Sequence, residues 1–376
     1  MTDKIQPITM PKWGLAMTEG MVAAWHVAEG DTLQAGGDVL DIETEKITNV
    51  YESPVSGVLR RRVATDGDTV SVGALLGVVA DLSVSDAEVD AFVDQYQKDL
   101  KVVVAAESGA VEPQTIAIGG RSVRYLKLGE DAGASVVLVH GFGGDLNNWL
   151  FNQPVLAERR ATLSLDLPGH GGSSKSLTAG DVSSLAQAVH EFLDELDIKT
   201  LHLVGHSLGG AVTANLALNL PGRVQSLTLI CSGGLGPDIN MDYINGFIGA
   251  NRRKELKPVL QMLFADPKLV RRELIEDVLK FKRLDGVETA LTTIAEAAFA
   301  HGKQAAQLQD ELRKLTMPMQ VIWGKEDQIL PVAHARNLGQ TAPSHILEGA
   351  GHMVHMEKAS EVNRLIEEFI AVTNSP

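Results

Sequence analysis

The chain has 376 residues, a formal net charge of −15, 44% hydrophobic residues and 22% charged residues. This composition is typical of a soluble globular protein, and the length is sufficient for two or three domains. The acidic balance argues against nucleic acid as a partner, because little basic surface is left to neutralise phosphates.

The single cysteine, Cys231, excludes an internal disulfide framework and fits a reducing compartment. No apolar run approaches the length of a membrane span, and the first residues lack the pattern of a secretory signal. We therefore expect a cytoplasmic protein with no membrane partner.

An internal repeat organises the first eighty residues. A shift of 37 residues superimposes two sets of turn residues, Gly20, Gly30, Asp31, Thr32 and Gly36 on Gly57, Gly67, Asp68, Thr69 and Gly73. Short alternating runs between the glycines are typical of strands, about four in each half. Two such halves predict an all-β flattened barrel over residues 1–81.

Lys46 lies between two strand-like runs, in the sequence Glu43-Thr44-Glu45-Lys46, and Ser53-Pro54-Val55-Ser56-Gly57 follows it. Over about residues 3–81 these stretches resemble the lipoyl domain family, whose hairpin-tip lysine carries lipoic acid in amide linkage. The resemblance implies covalent lipoate on Lys46. The alternative is an ordinary solvated turn lysine.

Residues 82–112 predict a linker that contains a short amphipathic helix. Ser85 and Glu88 fit a capping box, and apolar residues then share one helical face: Val89, Phe92, Val93 and Tyr96. After Lys101 the periodicity is lost, which indicates a tether. What the helix packs against stays open, and Arg60-Arg61-Arg62 is interpreted as a solvated strand face.

From residue 113 to 376 strands alternate with helices, after an opening hairpin that turns at Gly119-Gly120. This alternation predicts a mostly parallel sheet that is covered on both faces, with the site at the carboxyl ends of its strands. The predicted strands after the hairpin are 135–139, 162–165, 201–204, 224–230, 319–323 and 345–347, and the helices include 182–196.

The sequence Gly205-His206-Ser207-Leu208-Gly209 joins a predicted strand to a predicted helix. G-x-S-x-G in that context is typical of a nucleophile elbow, a strained turn that exposes the serine hydroxyl. Ser207 is therefore the predicted nucleophile, and the Leu208 N–H a predicted oxyanion donor. A glycine-rich connection whose serine caps the helix is the alternative.

Three further loops follow predicted strands. His140-Gly141-Phe142-Gly143-Gly144 offers the Phe142 N–H as the second oxyanion donor. Asp327, preferred over Glu326, offers a carboxylate, and His352 offers a base with His355 as its rival.

The chain order Ser207, Asp327, His352 is that of α/β-hydrolase sheets.

About residues 114–372 resemble the α/β-hydrolase superfamily, which implies a helical cap at about 236–305. His170 in the Asp166–Ser173 loop is interpreted as structural. A lipoyl domain joined to such a domain resembles the dihydrolipoyl acetyltransferase components of acetoin-cleaving dehydrogenase systems. The His-x-x-x-Asp-Gly motif of the usual acyltransferases is not found.

That resemblance implies acetyl transfer from the lipoyl group to coenzyme A. We expect no metal. The resemblance implies two partners, a thiamine-diphosphate-dependent acetoin dehydrogenase component and dihydrolipoyl dehydrogenase. An ester, thioester or C–C bond hydrolase tethered to a carrier, and a non-catalytic carrier or scaffold, are the alternatives. Whether the chain forms a homo-oligomer is left open.

Overall fold

The computed structural model describes residues 5–11, 19–43, 48–107, 111–131, 133–270 and 272–373. The chain forms two compact units, residues 1–110 and 111–376. No helix in these ranges is both long and apolar enough to span a bilayer.

The first unit contains two four-stranded antiparallel sheets, one ordered β1-β8-β6-β3 and the other β5-β4-β2-β7. Their strands are β1 (Ile5–Thr9), β2 (Glu19–Trp25), β3 (Thr32–Leu33), β4 (Asp38–Glu43), β5 (Thr48–Glu52), β6 (Gly57–Arg62), β7 (Thr69–Ser71) and β8 (Leu75–Ala80).

The strand pairing follows the sequence repeat. Strand β2 pairs with β4 and β7, and β6, its counterpart after the shift, pairs with β8 and β3. Apolar side chains from both sheets form one core cluster that includes Ile8, Val22, Leu40 and Leu59. The predicted all-β flattened barrel is therefore confirmed.

The connector differs from the prediction. Helix α1 (Asp86–Glu107) is 22 residues long and continues past Lys101, where a tether was expected. The apolar run that follows Lys101 is rich in alanine and valine, and a helix that is already formed extends at little cost.

Helix α1 packs on the sheet of the first unit. Val89 is fully buried in a cluster with Leu75 and Val78 of β8, and Tyr96 donates a hydrogen bond to the Gly73 carbonyl. The open question of what this helix packs against is thus answered within its own unit.

The interpretation of the three arginines as a solvated strand face is wrong, because each is partly buried and lies near a carboxylate. Arg60 donates to the Asp86 carboxylate at 2.8 Å, and Arg61 contacts Asp90 at 2.5 Å. Both partners lie on α1, because the helix runs across strand β6 and brings its acidic first turns to the arginines.

The second unit is built on an eight-stranded sheet ordered β16-β15-β14-β13-β11-β12-β10-β9. The strands are β9 (Gln114–Ile118), β10 (Arg121–Leu128), β11 (Ser135–Val139), β12 (Thr162–Leu165), β13 (Leu201–His206), β14 (Val224–Ile230), β15 (Met319–Gly324) and β16 (Ser344–Leu347).

The helices of this unit are α2 (Gln153–Ala157), α3 (Val182–Glu195), α4 (Leu208–Asn219), α5 (Met241–Gly249), α6 (Arg253–Gln261), α7 (Arg272–Lys282), α8 (Val287–Ala298), α9 (Gln309–Leu312), α10 (Val354–Glu357) and α11 (Ala359–Thr373).

The sheet has the predicted mixed character. β9 and β10 form the antiparallel opening hairpin, and every pairing from β12 to β16 along the sheet is parallel. Strands β11, β13 and β15 are buried along their whole length, as in a sheet covered on both faces. Helices α5 to α8 form the expected cap between β14 and β15.

Candidate active site

Ser207 lies on a strained turn between β13 and α4. Its φ of 54° and ψ of −121° are unusual for a residue with a side chain. Its N–H donates to the Ile230 carbonyl at 3.0 Å, and its carbonyl accepts from the Gly233 N–H at 2.8 Å. These two bonds to the neighbouring strand and loop hold the turn in place.

Close approaches on both sides of Ser207 explain the glycines around it. A Cβ atom at Gly209 would collide with the carbonyl of His140, so the start of α4 packs directly on the loop after β11. A Cβ at Gly141 would lie 2.8 Å from the Ser207 Cβ. The Phe142 backbone, next along that loop, therefore lies beside the serine.

Leu208 is the first residue of α4. The first four N–H groups of an α-helix have no partner within it, and the helix dipole favours negative charge there. Together with the loop that carries Phe142, this end of α4 can offer backbone donors to an oxyanion at Ser207.

His352 and Asp327 form a buried pair. Nδ1 of His352 lies 2.9 Å from Oδ2 of Asp327, and both side chains are at most 2% exposed. Oδ1 of Asp327 accepts from the N–H groups of Ile329 and Leu330. The neighbouring Glu326 instead accepts from the Ala350 N–H, on the histidine loop.

The residue before Ser207, His206, contacts the His352–Asp327 pair. His206 Nε2 lies 2.9 Å from the His352 carbonyl oxygen, and the two rings are 4.7 Å apart. In the part of the chain described, no hydrogen bond joins Ser207 Oγ to the His352 side chain. Such bonds are often loose in unliganded sites and tighten with substrate.

The rival base, His355, has a different environment. It is fully buried against Trp149, and burial followed by the nearby His352 lowers its pKa to about 3. No described carboxylate bonds either of its ring nitrogens. His170 is likewise fully buried, and burial lowers its pKa to about 3.

Sequence reasoning missed Glu357. Its carboxylate accepts from the N–H of Gly351, beside His352, and from the N–H of Ala265, in the cap. Burial raises the pKa of Glu357. The residue ties the histidine loop to the cap, and its place on the short helix α10 gave no sequence signal.

Cys231, which the sequence links only to a reducing compartment, lies beside the His352–Asp327 pair. Its Sγ, a carboxylate oxygen of Asp327 and a ring nitrogen of His352 all lie within 4.8 Å of one another. Burial and the Asp327 carboxylate raise the pKa of the Cys231 thiol. Thiolate, carboxylate and imidazole groups are ligands of soft metal ions, but here the His352 Nδ1 atom bonds the Asp327 carboxylate.

A narrow cavity adjoins Ser207. The cavity encloses about 280 Å³ when the part that is open to solvent is included. The space that a molecule could occupy is much smaller and would hold about one water molecule. Its lining is mostly apolar. It includes residues of the elbow, the Gly233-Gly234 loop and the cap, among them Ile239, Ala298 and Phe299, together with Val182 and Leu330.

Lys46 lies outside the described residues. The two flanking strands are described, and they pair antiparallel with Glu43 opposite Thr48. The chain segment that carries Lys46 therefore connects two directly paired strands. Asp38, Glu43 and Glu52 on these strands are exposed.

Two family models match the chain. The biotin-requiring enzyme family matches residues 6–79, and the alpha/beta hydrolase fold family matches residues 134–359. A meta-cleavage product hydrolase from Pseudomonas fluorescens has a TM-score of 0.63 at 23% identity, covering 69% of this chain and 98% of that one. That likeness supports the fold.

Two relatives match almost the whole chain. A dihydrolipoyllysine-residue acetyltransferase component of an acetoin cleaving system from Pseudomonas putida is 49% identical, covering 98% of this chain and 99% of the relative. The component of the same name from Cupriavidus necator is 44% identical, with 98% of both chains covered. The chain therefore belongs to the α/β-hydrolase fold family and, within it, to the acetyltransferase components of acetoin cleaving systems.

Proposed function

We propose that the protein transfers an acetyl group from a lipoyl group on Lys46 to coenzyme A through Ser207, His352 and Asp327. Similarity to the two named components over nearly the whole chain carries this proposal. The strained Ser207 turn and the buried His352–Asp327 pair support it.

Lipoate in amide linkage to Lys46 supplies the thiol that presents acetyl as a thioester. A lipoyl-type barrel and a lysine between the paired strands β4 and β5 fit that group. A thiamine-diphosphate-dependent acetoin dehydrogenase component is the proposed source of the acetyl group. Dihydrolipoyl dehydrogenase is the proposed partner that reoxidises the dithiol.

In the proposed first half-reaction, His352 removes the Ser207 hydroxyl proton while Asp327 holds the imidazole. Ser207 Oγ forms a bond to the acetyl carbon, the carbon–sulfur bond breaks, and His352 returns the proton to the departing thiolate. The Leu208 and Phe142 N–H groups bind the oxyanion.

In the second half-reaction His352 takes the proton of the coenzyme A thiol, and the sulfur attacks the acetyl-serine carbonyl. The bond between the acetyl carbon and Ser207 Oγ breaks, and His352 returns the proton to Oγ, which restores the Ser207 hydroxyl. Water would yield acetate instead, so transfer requires that water is kept out. The narrow, mostly apolar cavity under the cap supports that role.

The test is the Ser207→Ala variant of the lipoylated protein, with acetyl transfer to coenzyme A and acetate release both measured. Intact mass first establishes that Lys46 carries the lipoyl group. Transfer should fall by at least about 10⁴-fold. Ser183→Ala, which changes an exposed serine of α3, should leave the rate within about twofold. Retained transfer in Ser207→Ala would refute the proposal, and acetate as the main wild-type product would favour a tethered hydrolase.

A further inference from the structure

His206 joins the nucleophile's strand to the base's loop. It ends β13, is 3% exposed, and its Nε2 lies 2.9 Å from the His352 carbonyl oxygen, 146 residues along the chain. Because a carbonyl oxygen only accepts, this bond assigns the ring hydrogen to Nε2. The residue that precedes the nucleophile is thus bonded to the backbone of the proposed base.

The His206 ring also packs against the proposed base itself. Its centroid is 4.7 Å from that of His352, at an interplanar angle of 54°. His355 lies 4.4 Å from His206, and Trp149 lies 4.8 Å from His355. A row of buried rings therefore supports the His352 imidazole, while Asp327 holds its Nδ1.

His206 can fill this place without adding charge. Burial, followed by the neighbouring His355 and His352, lowers the pKa of His206 well below its usual value. The ring is therefore neutral at physiological pH, and it does not repel the imidazolium that forms on His352 when Ser207 is deprotonated.

We propose that His206 is a positioning residue that sets the His352 imidazole for proton transfer from Ser207. The hydrogen bond fixes the loop, and the ring packing restricts the imidazole's rotation. A misplacement of about 1 Å at a reacting group can cost about 10²-fold in rate. The inference rests on the proposed catalytic role of Ser207 and His352.

The test compares three variants of the full lipoylated chain. His206→Phe keeps a ring but loses the donor, and His206→Gln keeps a donor near the Nε2 position but loses the ring. His202→Gln is the matched control, because His202 is fully buried on the same strand and bonds Ser226 instead. Acetyl transfer gives kcat and KM, and a fluorophosphonate probe measures the reactivity of Ser207 independently.

His206→Phe should lower kcat and the labelling rate about 10²-fold while KM changes little. His206→Gln should recover part of that loss, and His202→Gln should stay within about twofold. Equal losses in His206→Phe and His202→Gln, or a change in KM alone, would overturn the inference. If His206→Phe does not fold, the comparison of His206→Gln with His202→Gln decides, and a loss in His206→Gln alone is expected. Transfer that persists in Ser207→Ala would instead refute the proposed function.

Discussion

The Asp327 carboxylate bonds His352 with one oxygen and the loop backbone with the other. Its Oδ2 lies 2.9 Å from His352 Nδ1, and its Oδ1 accepts hydrogen bonds from two backbone N–H groups. Because Oδ1 bonds the loop backbone, Oδ2 is directed at the Nδ1 atom of His352. The His352 proton is thereby assigned to Nδ1, which leaves Nε2 free to accept a proton.

Asp327→Asn should keep the loop folded but disturb this tautomer, because the amide can donate to Nδ1. In a serine protease the corresponding change lowers kcat about 10⁴-fold, and we expect a fall of that order in acetyl transfer. Glu326→Gln is the control, since the Glu326 side chain accepts from the Ala350 N–H and does not contact His352 in the described chain. Similar losses in both variants would contradict the role of Asp327.

Gly141→Ala should impair catalysis because its new Cβ would lie 2.8 Å from the Ser207 Cβ. The loop that carries Phe142 must move away, which displaces one proposed oxyanion donor. We expect a loss of about 10²-fold in kcat, as for removal of one such donor. Gly222→Ala, where a Cβ meets no atom within 4 Å, should be neutral. An unchanged kcat for Gly141→Ala in acetyl transfer assays would argue against this loop.

His355 should contribute to acid sensitivity. Its pKa is about 3 in the folded state and about 6.5 when unfolded, so only the unfolded chain takes up this proton as the pH falls between those values. Stability is therefore lost as the pH falls, by about 3 kcal/mol at pH 4.5 for this group.

His355→Phe keeps a ring against Trp149 and removes the titration. In urea unfolding at pH 7 and pH 4.5, the difference between the two free energies should shrink by about that amount. Phe151→Leu, which alters an exposed ring and removes no titratable group, should leave the difference unchanged. The same shrinkage in both variants would show that His355 is not the source.

Val89→Ala should destabilise the first unit, because Val89 is fully buried between α1 and β8. The lost burial is worth about 2 kcal/mol, which corresponds to about thirtyfold faster hydrogen exchange in β8. Asp94→Ala, at an exposed position on the same helix, should change exchange little. Equal exchange in wild type and Val89→Ala would mean that α1 does not support the sheet.

The sequence predicts local features of this protein well. The repeat predicted the barrel of the first unit, because each glycine turn and each short strand is determined by a few consecutive residues. The strand and helix around Ser207 are equally local, because one stretch of about twenty residues contains both elements and the turn. Family membership followed from the two domain signatures together, and the comparisons bear it out.

Contacts between distant residues could not be predicted. Three contacts join segments that lie far apart in the chain: the Arg60–Asp86 pair, the Glu357 bond to the cap and the His206 bond to His352. No repeating pattern in the sequence indicates that these segments are neighbours. Helix α1 looked like a linker because its apolar face has no partner that is visible in the sequence. The catalytic assignments of Ser207, Asp327, His352, Phe142 and Leu208, the modification of Lys46, and the domain limits at 81 and 112 stay predictions.

The most direct measurement is peptide mass mapping of the lipoylated protein after acetylation of its lipoyl group in the absence of coenzyme A. The acetyl-serine mechanism predicts an acetyl group on Ser207 that disappears, with formation of acetyl-coenzyme A, when coenzyme A is added. Acetyl transfer to coenzyme A without any acetyl-Ser207, in a rapid-quench series that resolves a single turnover, would contradict it.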